Sequence, residues 1–228
     1  NGNAYVTGHT WSTHATFPVV VGPDLTSLGG DAFVAKIGPD GTELLYSGFI
    51  GGDGGDAGHA IAVDDVGSAY VTGVTYAASS GTFPINYGPD QSYNAGYTDA
   101  FVAKIAPTGT SLLYSGYIGG GGYDEGTAIA VDPCGNAYVA GTTYSMEDTF
   151  PDGAGSDPLG VPGGTPGFDT TFNSRGETNP WDAFVAKVAS DGSDLAYASF
   201  IGGAGPEHGL GIAVDAADEF IADLAGTV

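Results

Sequence analysis

Apolar positions along this chain fall in short runs rich in Val, Ile, Tyr, Phe and Thr, each closed off by Gly, Pro or Asp. Ala-Phe-Val-Ala-Lys-Ile at 32–37, Ala-Ile-Ala-Val at 60–63 and Ala-Tyr-Val-Thr at 69–72 are such runs, and each predicts a β-strand. Gly-Pro-Asp-Gly at 38–41 and Ser-Asp-Gly-Ser at 190–193 predict tight turns, where Gly41 and Gly192 suit a positive φ. Residues 64–67 and 132–135 predict a second short hairpin turn. No segment sustains a 3.6-residue apolar period, and 41 Gly with 13 Pro argue against long helices.

These runs repeat. Asp-Ala-Phe-Val-Ala-Lys stands at 31–36, 99–104 and 182–187. Leu-Leu-Tyr-Ser at 44–47 returns at 112–115 and, altered, at 195–198; Ala-Ile-Ala-Val-Asp at 60–64 returns at 128–132 and, nearly, at 211–215. Ala-Tyr-Val-Thr-Gly at 4–8 returns at 69–73 and, with one change, at 137–141. Internal repetition with such a period signals a propeller, solenoid or array. Asp31 to Tyr46, Asp99 to Tyr114 and Asp182 to Tyr197 are each 15 positions, as are Tyr46 to Ile61, Tyr114 to Ile129 and Tyr197 to Ile212. Only Tyr5 to Asp31, Tyr70 to Asp99 and Tyr138 to Asp182 vary, at 26, 29 and 44. Length changes are tolerated in solvated connections, so this stretch is expected to be a surface loop.

Each repeat thus carries four strands joined by two tight turns and two looser loops, which is the blade of a β-propeller. The run of Gly-Asn-Ala-Tyr-Val-Thr-Gly, Thr-Phe-Pro, Asp-Ala-Phe-Val-Ala-Lys, Leu-Leu-Tyr-Ser, Ile-Gly-Gly and Ala-Ile-Ala-Val-Asp resembles the SBBP-type β-propeller repeat over nearly the whole chain. Residues 129–139 are also similar to NHL-type blades. That resemblance implies that Ile-Ala-Val-Asp forms the innermost strand and Leu-Leu-Tyr-Ser the outermost. The SBBP resemblance implies no catalytic set, and it implies secreted or cell-surface proteins of microbes, often beside adhesion-type modules.

The expected fold is therefore all-β, with β-propeller-like four-stranded antiparallel blades. About three blades, 13 strands, are expected in one repeat domain: a partial blade at 1–52, blades at 58–120 and 126–203, and terminal strands at 210–227. Propellers ordinarily close with four to eight blades, and open sheet edges invite association. Three arrangements are compatible with this phase. The chain is a piece of a longer propeller, or copies complete one another, or three sheets close as a prism. Completion between copies would use Leu210, Ile212, Val214, Phe220 and Ile221 against Tyr5 and Val6, giving rings or filaments.

With 27 Asp and Glu against 4 Lys and Arg, the formal charge is −23. Nucleic acid and anionic membrane are poor partners for such a surface, and no apolar run approaches a membrane span. No export signal is present, so secretion is expected from the resemblance and from a Lys-poor, Gly-, Ser-, Thr- and Tyr-rich composition. Cys134 is the single cysteine and reads as a turn residue. Asp53, Asp56, Asp124, Glu125 and Glu207 lie in the Gly-rich connections that follow the outermost strands, and offer weak oxygen ligands for Ca²⁺. No Asp-x-Asp-x-Asp-Gly loop strengthens that signal, and no other cofactor is expected.

Three of the four basic residues, Lys36, Lys104 and Lys187, close the third strand of each blade. They are expected to form structural ion pairs with Asp64, Asp132 and Asp215, or with Asp31, Asp99 and Asp182. Trp11, Tyr87, Tyr93, Tyr97, Phe168, Phe172 and Trp181 sit in the variable loops, where aromatics suit glycan stacking or protein contact. The Phe of each recurring Thr-Phe-Pro reads instead as a staple onto its own blade. No Gly-x-Ser-x-Gly, His-Glu-x-x-His or phosphate-binding loop occurs, and the four His are scattered. The chain is expected to be a non-catalytic structural or adhesive module that self-associates. A carbohydrate-binding or carbohydrate-active propeller is the alternative, with glycans or surface proteins as partners.

Overall fold

A computed structural model describes residues 2–27, 29–76, 82–94, 96–151, 165–173 and 181–215. The first sheet contains β1 (Ala4–Thr10), β2 (Asp31–Ile37) and β3 (Leu44–Ile50); the second contains β4 (Asp56–Val63), β5 (Ala69–Thr75), β6 (Asp99–Ile105) and β7 (Leu112–Ile118). The third contains β8 (Asp124–Val131), β9 (Ala137–Thr143), β10 (Thr165–Pro166), β11 (Asp182–Val188) and β12 (Leu195–Ile201). The fold is all-β, and within each sheet the consecutive long strands pair antiparallel as in a propeller blade. The short β10 adds a parallel edge to β12 that the repeat pattern did not predict.

Turn chemistry follows the sequence. Gly41, Gly109 and Gly192 close the hairpins before β3, β7 and β12 with φ of 74°, 78° and 79°. Gly67 and Gly135 close the hairpins before β5 and β9 with φ of 91° and 83°.

The sheets stack face to face. Val34, Tyr46 and Ile50 of the first sheet pack with Val71, Phe101, Ala103 and Ile105 of the second. The opposite face of that second sheet, with Tyr70, Val102, Tyr114 and Ile118, packs on Val139, Phe184, Ala186 and Phe200 of the third. The second sheet is therefore buried on both faces, and every residue of β5 is buried. Its sequence accordingly reads as a continuous small and apolar run rather than an alternating one.

Among the described residues the expected terminal strand at 210–215 does not join a ladder. The segment at 203–209 that leads into it is nevertheless held as its counterparts at the connections into β4 and β8 are. Gly52 N–H donates to Asp56, Gly120 N–H to Asp124 and Gly203 N–H to Glu207, at 2.9, 2.8 and 3.0 Å. The backbone N–H of Asp56, Asp124 and Glu207 donates to the carbonyls of Gly30, Thr98 and Trp181. The expected second terminal strand, with Phe220 and Ile221, lies outside the described residues.

Candidate functional site

Two β-bulges shape the inner strands. In β4 the pairing skips from Gly58–Gly73 to Ala60–Thr72, which leaves His59 as the extra residue. In β8 it skips from Gly126–Gly141 to Ala128–Ala140, which leaves Thr127 as the extra residue. A bulge re-aims its side chain, and both side chains point to the next inner segment. His59 Nδ1 lies 3.3 Å from the Gly126 carbonyl and 3.1 Å from the Glu125 carboxylate. The Thr127 hydroxyl donates to the Gly209 carbonyl.

Above these bulges the rim of the three sheets encloses a cleft of about 670 Å³. His9 and Trp11 come from the end of β1, Asp56 and His59 from β4, and Tyr76 from just past β5. Thr98, Tyr123, Glu125 and Trp181 enter from the starts of β6, β8 and β11. Trp11 and Tyr76 stand 77% and 54% exposed, so their ring faces are open. The opposite wall is braced: Tyr97 stacks flat on Tyr123 at 4.5 Å, and Trp181 packs edge-on to Tyr144 at 5.2 Å. The His59 hydrogen bond to Glu125 raises the imidazole pKa and lowers that of the carboxylate. Burial raises the pKa of Asp56. The cleft thus combines open rings, braced rings and a charged hydrogen-bonding floor, within the size range of small-ligand sites.

Of the residues singled out in the sequence, the cleft unites Trp11, Trp181, Asp56 and Glu125. Tyr97 supports it through Tyr123. Four others belong elsewhere. Phe172 is core, against Phe200, and Tyr93 packs edge-on to Tyr117. Tyr87 and Phe168 are exposed away from the cleft lining. Sequence reading missed Tyr76, Tyr123, His9 and His59. A usable signal existed for Tyr76: the position after the second strand is aromatic in every repeat, as Trp11, Tyr76 and Tyr144. The Thr-Phe-Pro residues Phe17, Phe83 and Phe150 each pack on two rings of their own sheet, as a staple should.

The ion-pair reading of the lysines needs correction. Among the described residues only Lys187 lies within reach of an expected partner, with Nζ 4.0 Å from Asp132. Lys36 donates to the Pro107 carbonyl and Lys104 to the Ser190 carbonyl, both at 3.2 Å, so each reaches a turn of the following sheet. Each ammonium also sits over tyrosine rings: Lys36 over Tyr5 at 5.1 Å, Lys104 over Tyr70 at 4.8 Å and Lys187 over Tyr138 at 4.9 Å. Tyrosine faces and carbonyls satisfy the charge. Asp64 instead accepts from Ser68 N–H and Tyr70 O–H, and Asp215 is exposed.

The residues read as weak calcium ligands are also dispersed. Asp56, Asp124 and Glu207 accept backbone N–H groups, Glu125 pairs with His59, and Asp53 is exposed. Among the described residues no group of three or more His, Cys, Asp or Glu gathers as a metal site. Of the assembly residues, Leu210 and Val6 are exposed, while Tyr5, Ile212 and Val214 are partly buried.

Residues 113–146 match the SBBP β-propeller repeat. The matched SBBP stretch runs from β7 through β8 and β9 to Met146, so one repeat unit straddles two sheets. It covers the Gly-rich connection before Asp124, the second bulge and two lining residues of the cleft, Tyr123 and Glu125. No curated protein matches the chain.

Proposed function

We propose that this chain is a non-catalytic, extracellular adhesive module that recognises carbohydrate in the rim cleft. The observation that carries the reading is the cleft itself, where Trp11 and Tyr76 offer open ring faces opposite the braced Tyr123 and Trp181. Sugars present apolar C–H faces to aromatic rings and hydroxyls to groups such as Glu125, His59 and Thr98. The carboxylates support binding over hydrolysis. Glu125 is tied to His59, and Asp56 is buried beneath the chain turn that it anchors. Paired acids for glycoside cleavage need one group free to attack or activate water.

The test is a glycan array followed by calorimetry on the best binder. Trp11→Ala and Tyr76→Ala should each weaken binding about tenfold with little change in melting temperature. A protein that binds no glycan, or variants that bind as tightly as the parent, would remove the reading.

A second reading rests on a separate observation. Among the described residues β1 pairs with no strand on the side away from β2, and residues 207–214, the counterpart of β4 and β8, join no ladder. Free ladder edges recruit strands. A second copy, or further chain, would complete them. Light scattering across a dilution series tests the first source: deleting residues 210–228 should then abolish oligomers. Unchanged assembly of the shortened chain would reject completion between copies.

A further inference from the structure

Each of the two junctions between neighbouring sheets contains two acids, Asp31 with Asp56 and Asp99 with Asp124, and the second pair lies outside the cleft lining. A methyl group on Gly51 would lie 2.5 Å from Asp31 Oδ1 and 2.6 Å from Asp56 Oδ2, so both carboxylates crowd one glycine. A methyl group on Gly119 would lie 2.8 Å from Asp124 Oδ2, and one on Gly202 would lie 2.6 Å from Asp182 Oδ2. The recurring Ile-Gly-Gly is glycine at its first position because carboxylates occupy the side-chain space.

The junction of the second and third sheets shows how such a pair can coexist. Asp124 accepts the Thr143 hydroxyl, the Ser145 hydroxyl at 2.7 Å and the Gly120 N–H at 2.8 Å. Three donors suit a charged carboxylate. Asp99, which opens β6, is 0% exposed and has one long hydrogen bond, from Asn94 N–H to Oδ2 at 3.2 Å. Its Oδ1 is buried without a donor among the described residues, and so is the Oδ1 of Asn94. The groups that act on Asp99 are Asp124 from β8 and Asp90 from the loop before β6. Tyr93 of the same loop and Tyr117 of β7 also feel its charge. None of these is basic. A charged Asp99 would face two carboxylates with an unpaired buried oxygen, a costly arrangement. A proton removes both penalties, because it turns an unpaired acceptor into a donor in a cluster whose other unpaired oxygen belongs to Asn94.

We propose that Asp99 is a neutral carboxylic acid in the folded protein, and that its proton is a latch which tightens the junction in acid and releases it in alkali. Burial, then the charges of Asp124 and Asp90, push Asp99 from 3.8 up to about 8. Burial also lifts Asp124, to about 6. The two acids titrate as a pair. Between pH 3.8 and about 8 the folded chain holds a proton that the unfolded chain has lost. Stability therefore falls as pH rises through this window, by up to about tenfold in the unfolding constant per pH unit. This is the reverse of ordinary acid denaturation.

Denaturant unfolding of the full chain between about pH 4 and pH 9 tests the latch. The wild-type midpoint should fall as pH rises. Asp99→Asn, which keeps the shape and the neutral state, should flatten the profile and exceed the wild type at about pH 9. Asp65→Asn, which removes the same charge from an exposed turn, should run parallel to the wild type. A wild-type midpoint that is flat or rises with pH overturns the proposal, as does an Asp99→Asn profile parallel to the wild type. Calcium that restores the alkaline midpoint in wild type but not in Asp99→Asn overturns it in favour of a cation between the carboxylates. Should Asp99→Asn not fold, infrared difference spectra of the wild type decide. A protonated carboxyl band near neutral pH that disappears towards about pH 9 supports the latch, and its absence rejects it.

Discussion

Gly73 of β5 has no room for a side chain, because the bulge in β4 drives the Ala57 carbonyl into the space a Cβ would fill. Gly73→Ala should destabilise the protein by about 3 kcal/mol, read from denaturant midpoints. Gly55→Ala, whose new methyl would rest 3.6 Å from Tyr76, should cost little. Equal losses would show that the bulge relaxes and does not dictate the glycine. Single residues were legible where backbone geometry alone chose them, as at Gly41 and Gly192. They were misread where a neighbouring sheet chose them. Lys36 and Lys104 looked like ion-pair formers because charge is visible in a sequence, whereas the ring faces and carbonyls that hold them come from elements far along the chain. Phe172 looked like a loop aromatic because its burial depends on how the loop before β11 folds over Phe200.

At the scale of elements, strands and hairpins followed from short β-rich runs and turn glycines, and the order of strands within each sheet followed from the repeat. The bulges did not. A bulge changes the register by one residue without changing composition, so His59 and Thr127 carried no mark of their role. The cleft was legible only in part for that reason: the facing loops were predicted, but not the floor. His59 has a raised pKa from its hydrogen bond to Glu125, which gives a direct test. Its contribution to stability should be full below about pH 6.5 and should fade as pH rises through the folded value. The effect should be small because both side chains are partly exposed. By nuclear magnetic resonance His59 should titrate above 6.5, and Glu125→Gln should bring it down; an unchanged value would remove the pair. Lys104→Met keeps the alkyl stem and loses the contact to Ser190 and the Tyr70 face. It should cost about 1–2 kcal/mol in thermal or denaturant unfolding, and a silent substitution would mean that packing alone holds the junction.

For the whole molecule, the governing fact is that each junction repeats the last. The Tyr5 and Tyr70 hydroxyls of one sheet lie 3.3 and 3.2 Å from the Gly67 and Gly135 carbonyls of the next. Lys36 and Lys104 reach forward to Pro107 and Ser190 in the same way. Tyr46 and Tyr114 fill the space above Gly109 and Gly192. With 27 acidic residues against 4 basic ones, lowering the pH also relieves repulsion across the arc, so acid should stabilise it beyond the share of Asp99. In the Asp99→Asn profile a residual downward slope would measure that share together with those of His59, Asp56 and Asp124. The lysine and tyrosine contacts of the junction are all offered by one blade and received by the one after it. The chain consequently has a reading direction, like the teeth of a rack. Excising residues 56–123 would bring Lys36 opposite Ser190, Tyr5 opposite Gly135 and Tyr46 opposite Gly192, matching teeth to gaps. Excising only half a blade would bring teeth against teeth. Gain and loss of whole repeats is therefore a change of length that this architecture absorbs without redesigning a single junction.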